Sequence, residues 1–71
     1  MTNRERIGAR IKELRTLKGM TTIQLAEMTG LKQQNISRIE RGMYSTGIDI
    51  LRKIADALGY EIDFIKIAAK I

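Results

Sequence analysis

Thr21-Thr22-Ile23-Gln24-Leu25-Ala26-Glu27-Met28-Thr29-Gly30-Leu31-Lys32-Gln33-Gln34-Asn35-Ile36-Ser37-Arg38-Ile39-Glu40-Arg41-Gly42 is the stretch that decides the fold. Thr21 followed three residues later by Gln24 has the form of a capping box. Leu25, Ala26 and Met28 follow, and Gly30 stops the segment, so a two-turn helix is predicted over about 22–29. Leu31 is an apolar turn residue, and a second short helix is predicted from about 33 to 41, ended by Gly42. Place Gln33 at the origin of a helical wheel. Ser37, Arg41, Gln34 and Arg38 then fall at about 40°, 80°, 100° and 140°, while Ile36 and Ile39 fall at about 300° and 240°. One face is apolar. The other is an unbroken arc of hydrogen-bonding side chains with two arginines and no acid.

Further helices flank this pair. Thr2-Asn3-Arg4-Glu5 is another capping box, and Ile7, Ile11 and Leu14 share a stripe with Leu17 at its edge. Lys18 and Gly19 close a helix predicted over about 3–18. Gly8 inside it costs about 1 kcal/mol against Ala, a cost that the close approach of a neighbour would explain. Downstream, 43–47 reads as a loop and about 48–58 as a helix. Ile48, Leu51, Ile54, Ala55 and Leu58 fall within about 120° on its wheel. Asp49, Arg52, Lys53 and Asp56 take the other side, and Gly59 stops the helix.

Residues 60–67, Tyr60-Glu61-Ile62-Asp63-Phe64-Ile65-Lys66-Ile67, are rich in β-branched and aromatic side chains and predict a strand; a short fifth helix is the competing reading. A lone strand cannot satisfy its own backbone, and its simplest partner is the same strand of a second copy, with Tyr60, Ile62 and Phe64 as dimerisation residues. The expected fold is all-α, a compact four-helix domain over 1–59. A C-terminal β-strand and tail over 60–71 would pair across a homodimer.

Composition narrows the function. At 71 residues the chain is one small domain, with no linker, repeat or second domain evident. It has no Cys and no His, which removes disulfides, thiolate and imidazole metal sites, and catalysis by either side chain. No metal or other cofactor is expected. Lack of Cys suits a reducing cytoplasm, the expected location. No apolar run exceeds three residues, so neither a transmembrane helix nor a signal-peptide core is expected. The chain carries 13 Lys and Arg against 8 Asp and Glu, for a net charge of +5. All of the surplus lies within residues 1–41, which points to a polyanionic partner, nucleic acid before membrane.

Two short helices across a tight turn, the second polar on its outer face, form a helix-turn-helix. Gln pairs bidentately with adenine and Arg with guanine in the major groove. The pattern Ile7, Arg10-Ile11, Leu14-Arg15, Gly19-Met20-Thr21, Leu25-Ala26, Gly30-Leu31, Ile36-Ser37, Ile39-Glu40-Arg41-Gly42, Leu51, Ile54-Ala55, Leu58-Gly59 resembles the phage-repressor/Cro (XRE-type) helix-turn-helix family over about residues 5–59. The resemblance implies a lambda-repressor-like fold and double-stranded DNA as partner. It implies base contacts from Gln33, Gln34 and Arg38 and phosphate contacts from Thr22, Arg41, Tyr44 and Ser45. It also implies an ion pair of Arg15 with Glu40 that sets the angle of the recognition helix. Thr22 stands where the family commonly has a Gln that braces that helix; the shorter Thr is expected to keep a phosphate hydrogen bond and lose the brace.

The function implied is a transcriptional repressor acting as a dimer on a pseudo-palindromic operator. The alternative is an antitoxin, since XRE-type chains with a C-terminal strand are similar to DNA-binding antitoxins that repress their own operons. Residues 68–71 are too short for an inhibitory arm, so a toxin protein would dock on the body of the dimer. A protein-interaction module that leaves the outer face off DNA is a third reading. An enzyme is not expected: no acid pair with a pocket, Gly-rich phosphate loop or ligand cluster is evident. Met20, Met28 and Met43 read as core or loop filler.

Overall fold

Two reciprocal capping boxes start the first two helices. In α1, Asn3–Leu17, Thr2 Oγ1 accepts the Glu5 N–H at 3.2 Å and the Glu5 carboxylate accepts the Thr2 N–H at 2.8 Å. In α2, Thr22–Thr29, Thr21 and Gln24 repeat the exchange at 3.1 and 2.8 Å. Each box satisfies N–H groups that the helix itself cannot. These helices, with α3 (Gln33–Glu40) and α4 (Ile48–Leu58), are drawn from a computed structural model that describes residues 1–68. Gly30 ends α2 at φ 72°, a left-handed conformation that costs a residue with a Cβ, and this tight turn delivers the chain into α3.

The core is one cluster drawn from all four helices. Ile11, Leu25, Ala26, Ile36, Ile39, Ile54 and Leu58 are buried, with Ile7, Leu14, Met20, Leu31, Ile50, Leu51 and Ala57 packed around them. The inward positions on α1 and α3 are those the wheel assigns, except that Leu17 lies in solvent. On α4 the buried face is Ile50, Leu51, Ile54, Ala57 and Leu58, rotated by about 60° from the predicted stripe. Ile48 is 63% exposed, and Ala55 is only half-buried. Ile48 is the first residue of the helix, directly after the 43–47 loop, and is not among the residues packed on the core. Of the methionines taken as filler, Met20 is half-buried, whereas Met28 and Met43 are exposed.

Gly8 is buried where α1 meets the end of α3. A Cβ there would lie 2.2 Å from the Ile39 carbonyl oxygen and 2.8 Å from that of Glu40. The neighbour that justifies a glycine in mid-helix is therefore α3 backbone. Gly42 makes the matching approach from the other side, against the backbone and Cγ of Glu5.

Beyond Gly59 the single chain forms neither of the elements expected for 60–67. Among the described residues there is no strand, and 60–67 form no fifth helix. Tyr60 is tied to α4 through its N–H, which donates to the Ala55 carbonyl at 2.8 Å. The rest of the segment lies exposed. The reason is that the described residues offer 60–67 no sheet edge, so its backbone groups stay with solvent. The tail predicted over 68–71 falls, beyond Ala68, outside the described residues.

Candidate nucleic-acid interface

The α3 backbone turns Ile36 and Ile39 into the core, which forces the opposite arc outward. Gln33, Gln34, Arg38 and Arg41 are exposed and Ser37 is half-buried. Among the described residues, Gln34 and Arg38 make no side-chain hydrogen bond. Arg41 Nε donates weakly to the Ser37 carbonyl at 3.4 Å. Both guanidiniums therefore stay available for a ligand.

Gln33 is held. Its Nε2 donates to Thr22 Oγ1 at 3.1 Å and to Ser37 Oγ at 3.1 Å. The first bond crosses from α3 to the start of α2, so a brace between the two helices exists despite the short Thr22 side chain. The expectation that Thr22 would lose it is thus corrected. Gln33 supplies the length that Thr22 lacks. Ser37 is the participant the sequence reading did not assign a role, although its place one turn after Gln33 was the available signal.

Arg15 and Glu40 tie α1 to the end of α3. Arg15 Nε donates to Glu40 Oε2 at 2.6 Å, and a second guanidinium nitrogen donates to Oε1 at 2.9 Å. The third nitrogen donates to the Met20 carbonyl at 2.8 Å. The side chains are only 11% and 5% exposed. This is the bidentate fork that guanidinium and carboxylate geometry favours. Its hydrogen bond to Glu40 raises the Arg15 pKa above its ordinary value. The other ion pairs, Arg10 with Glu13 and Arg52 with Asp56, lie on exposed helix faces.

Tyr44 and Ser45 are exposed in the loop between α3 and α4. Gly47 precedes α4 and offers no side-chain cap, and Lys32 before α3 provides none either. The first N–H groups of these two helices thus lack the partners that Thr2 and Thr21 give α1 and α2. Tyr60, Ile62 and Phe64 are not brought onto the core; all three are exposed, Phe64 fully. Among the described residues, no group of three or more acidic side chains could hold a metal ion, and no helix is long and apolar enough to cross a membrane.

Comparison with known proteins agrees with this geometry. A helix-turn-helix family model matches residues 11–65. The chain is similar to the immunity repressor protein of Bacillus phage phi105, 36% identical over 59 residues, covering 83% of this chain and 41% of the repressor. It is also similar to the putative antitoxin HigA2 of Mycobacterium tuberculosis, 38% identical over 55 residues, covering 76% of this chain and 54% of that protein. The chain thus spans about half the length of these curated relatives. Among solved structures, it resembles the biofilm master regulator SinR in complex with DNA, with a TM-score of 0.74 and 36% identity over 78% of this chain and 89% of that one.

Proposed function

The chain belongs to the helix-turn-helix family, and from that membership and the outer face of α3 we propose that it is a sequence-specific double-stranded DNA-binding regulator of transcription, a repressor. It acts by binding, without catalysis or cofactor, in the cytoplasm. The observation that carries this reading is the exposed, acid-free arc of Gln33, Gln34, Arg38 and Arg41. In the major groove, Gln33 and Gln34 meet base edges that offer amino groups, and Arg38 pairs with guanine O6 and N7. Thr22, Arg41, Tyr44 and Ser45 meet phosphates. The uncapped N–H groups of α4 provide a further anion contact, which the Gly47 cap position leaves open. Arg15 and Glu40 act structurally, as the strut behind α3.

Residues 1–59 are the DNA-binding unit, and 60–71 make the homodimer. Tyr60, Ile62 and Phe64 lie on alternate positions of an exposed segment, as one face of a strand requires. A two-fold axis normal to an antiparallel ribbon sets a residue against its own copy. Centring on Phe64 sets that ring against its own copy, whereas centring on Asp63 would set two carboxylates face to face. Such a dimer reads a pseudo-palindrome with half-sites roughly 34 Å apart. The test is sedimentation of the chain with and without duplex from upstream of its own gene, at low and moderate salt. The reading expects a dimer whose binding falls steeply with salt. No binding at low salt would overturn it.

The likeness to a putative antitoxin favours a second reading, in which the dimer also holds a toxin protein and represses its own operon. Co-expression with the product of the adjacent gene separates the two. A stable stoichiometric complex that relieves that product's toxicity supports the antitoxin, and two independent proteins refute it.

A further inference from the structure

The two neighbouring glutamines of α3 are not equivalent. A primary amide carries two N–H donors on its nitrogen and an acceptor on its oxygen. Gln33 Nε2 lies 3.1 Å from each of two hydroxyls, Thr22 Oγ1 on α2 and Ser37 Oγ one turn further along α3. Both donors are thereby engaged, and the oxygen is what the side chain has left to offer. Among the described residues Gln34 makes no such bond. Four residues after it stands Arg38, a donor only, which leaves the Gln34 nitrogen unengaged.

The bidentate pairing of Gln with adenine needs both ends of the amide, the oxygen to accept from N6 and the nitrogen to donate to N7. We infer that Gln33 reads DNA as an acceptor only, and that Thr22 and Ser37 are the positioning residues that make it so. At the base facing it, Gln33 selects an exocyclic amino group, which adenine and cytosine present. It disfavours guanine and thymine, which present acceptors there. Gln34 keeps the full amide and the ordinary preference for adenine. One helix thus carries two glutamines with different codes, set by which residue lies four positions on. This deepens the DNA-binding reading and rests on it.

Selection from randomised duplexes supplies an operator, and dissociation constants for all four bases at each position then test the inference. Gln33→Ala flattens the preference at the position Gln33 reads and so identifies it. There the unaltered chain is expected to bind adenine and cytosine within about threefold, with guanine and thymine weaker by roughly fivefold or more. Thr22→Val and Ser37→Ala each release one N–H. Each is expected to move the adenine-to-cytosine ratio toward adenine by roughly fivefold, with preferences elsewhere unchanged. A purely structural role would weaken all four bases alike, and circular dichroism shows whether each variant is folded. Strong preference for adenine over cytosine in the unaltered chain, preference for guanine or thymine, or an unmoved ratio in both folded variants would overturn the inference while leaving DNA binding intact. Absence of salt-sensitive binding to any duplex would overturn the DNA-binding reading itself.

Discussion

Replacing Gly8 with alanine is expected to destabilise the domain, against the intrinsic preference of helices for alanine. On a helix face open to solvent the change gains about 1 kcal/mol. Here the added carbon would lie 2.2 Å from the Ile39 carbonyl oxygen and 2.8 Å from that of Glu40. An ordinary carbon–oxygen contact is about 3.3 Å, so α1 must withdraw from α3 by roughly 1 Å. Both obstacles are main chain, and no rotamer change relieves them. Forcing extra volume into a packed site costs about 1–3 kcal/mol. Withdrawal also loosens the contact of Ile11 and Ile39 with the core and stretches the 2.6 Å bond between Arg15 and Glu40. After the propensity gain about 0–2 kcal/mol remains, and the loosened core contacts and stretched ion pair bring the net loss to about 1–2 kcal/mol. A domain of this size has a stability on the order of 4–11 kcal/mol. With a urea dependence of about 1 kcal/mol per molar, the midpoint should fall by about 1–2 M. Urea titration followed by circular dichroism measures it. A midpoint equal to or above that of the unaltered chain would refute the claim that α1 backbone rests on α3 backbone at Gly8.

Other outcomes follow from the same geometry. Glu40→Leu strands the buried Arg15 cation and should cost about 3–5 kcal/mol, whereas Arg15→Met with Glu40→Leu should recover most of that in the same urea assay. A double variant no more stable than the single would contradict it. Phe64→Ser should convert a dimer to a monomer by sedimentation velocity while leaving monomer stability within about 0.5 kcal/mol, because Phe64 is fully exposed. The Glu5 carboxyl, which accepts from the Thr2 N–H, is held below its ordinary value of 4.5. Its contribution to stability is therefore full above about pH 5 and is lost as pH falls through the lowered value. A carbon-13 titration of Glu5 should show a lower midpoint in the folded than in the urea-unfolded chain, and coincident midpoints would contradict the cap.

Which features the sequence disclosed follows the range of the interactions behind them. Thr2 with Glu5, Thr21 with Gln24, and Gly30 act within one or two turns, so helix starts and the central turn could be read directly. The core faces of α1 and α3 were legible for the same reason, since Ile36 and Ile39 follow the helical repeat. The α4 face was not. Its apolar residues cover about half the wheel, and only the packing of the other helices selects Ile50 over Ile48. Gly8 announced a close neighbour without naming it, because that neighbour lies some thirty residues away, at Ile39 and Glu40. The outward arc of α3 was visible, but the tie of Gln33 to Thr22 was not, since it depends on the juxtaposition of two helices. Residues 60–67 have strand composition and no strand partner among the described residues. Composition sets what a segment favours, and pairing requires a second edge.

The central claim is that α3 reads base edges while its end and the following loop grip phosphates. Base-by-base dissociation constants for Arg38→Ala and Arg41→Ala on a selected operator test it most directly. Arg38→Ala should lose about 1–3 kcal/mol at one guanine per half-site and relax specificity there alone. Arg41→Ala should weaken all sequences alike and reduce the salt slope by about one. Uniform weakening by both, or loss of base preference with Arg41→Ala and none with Arg38→Ala, would contradict the account.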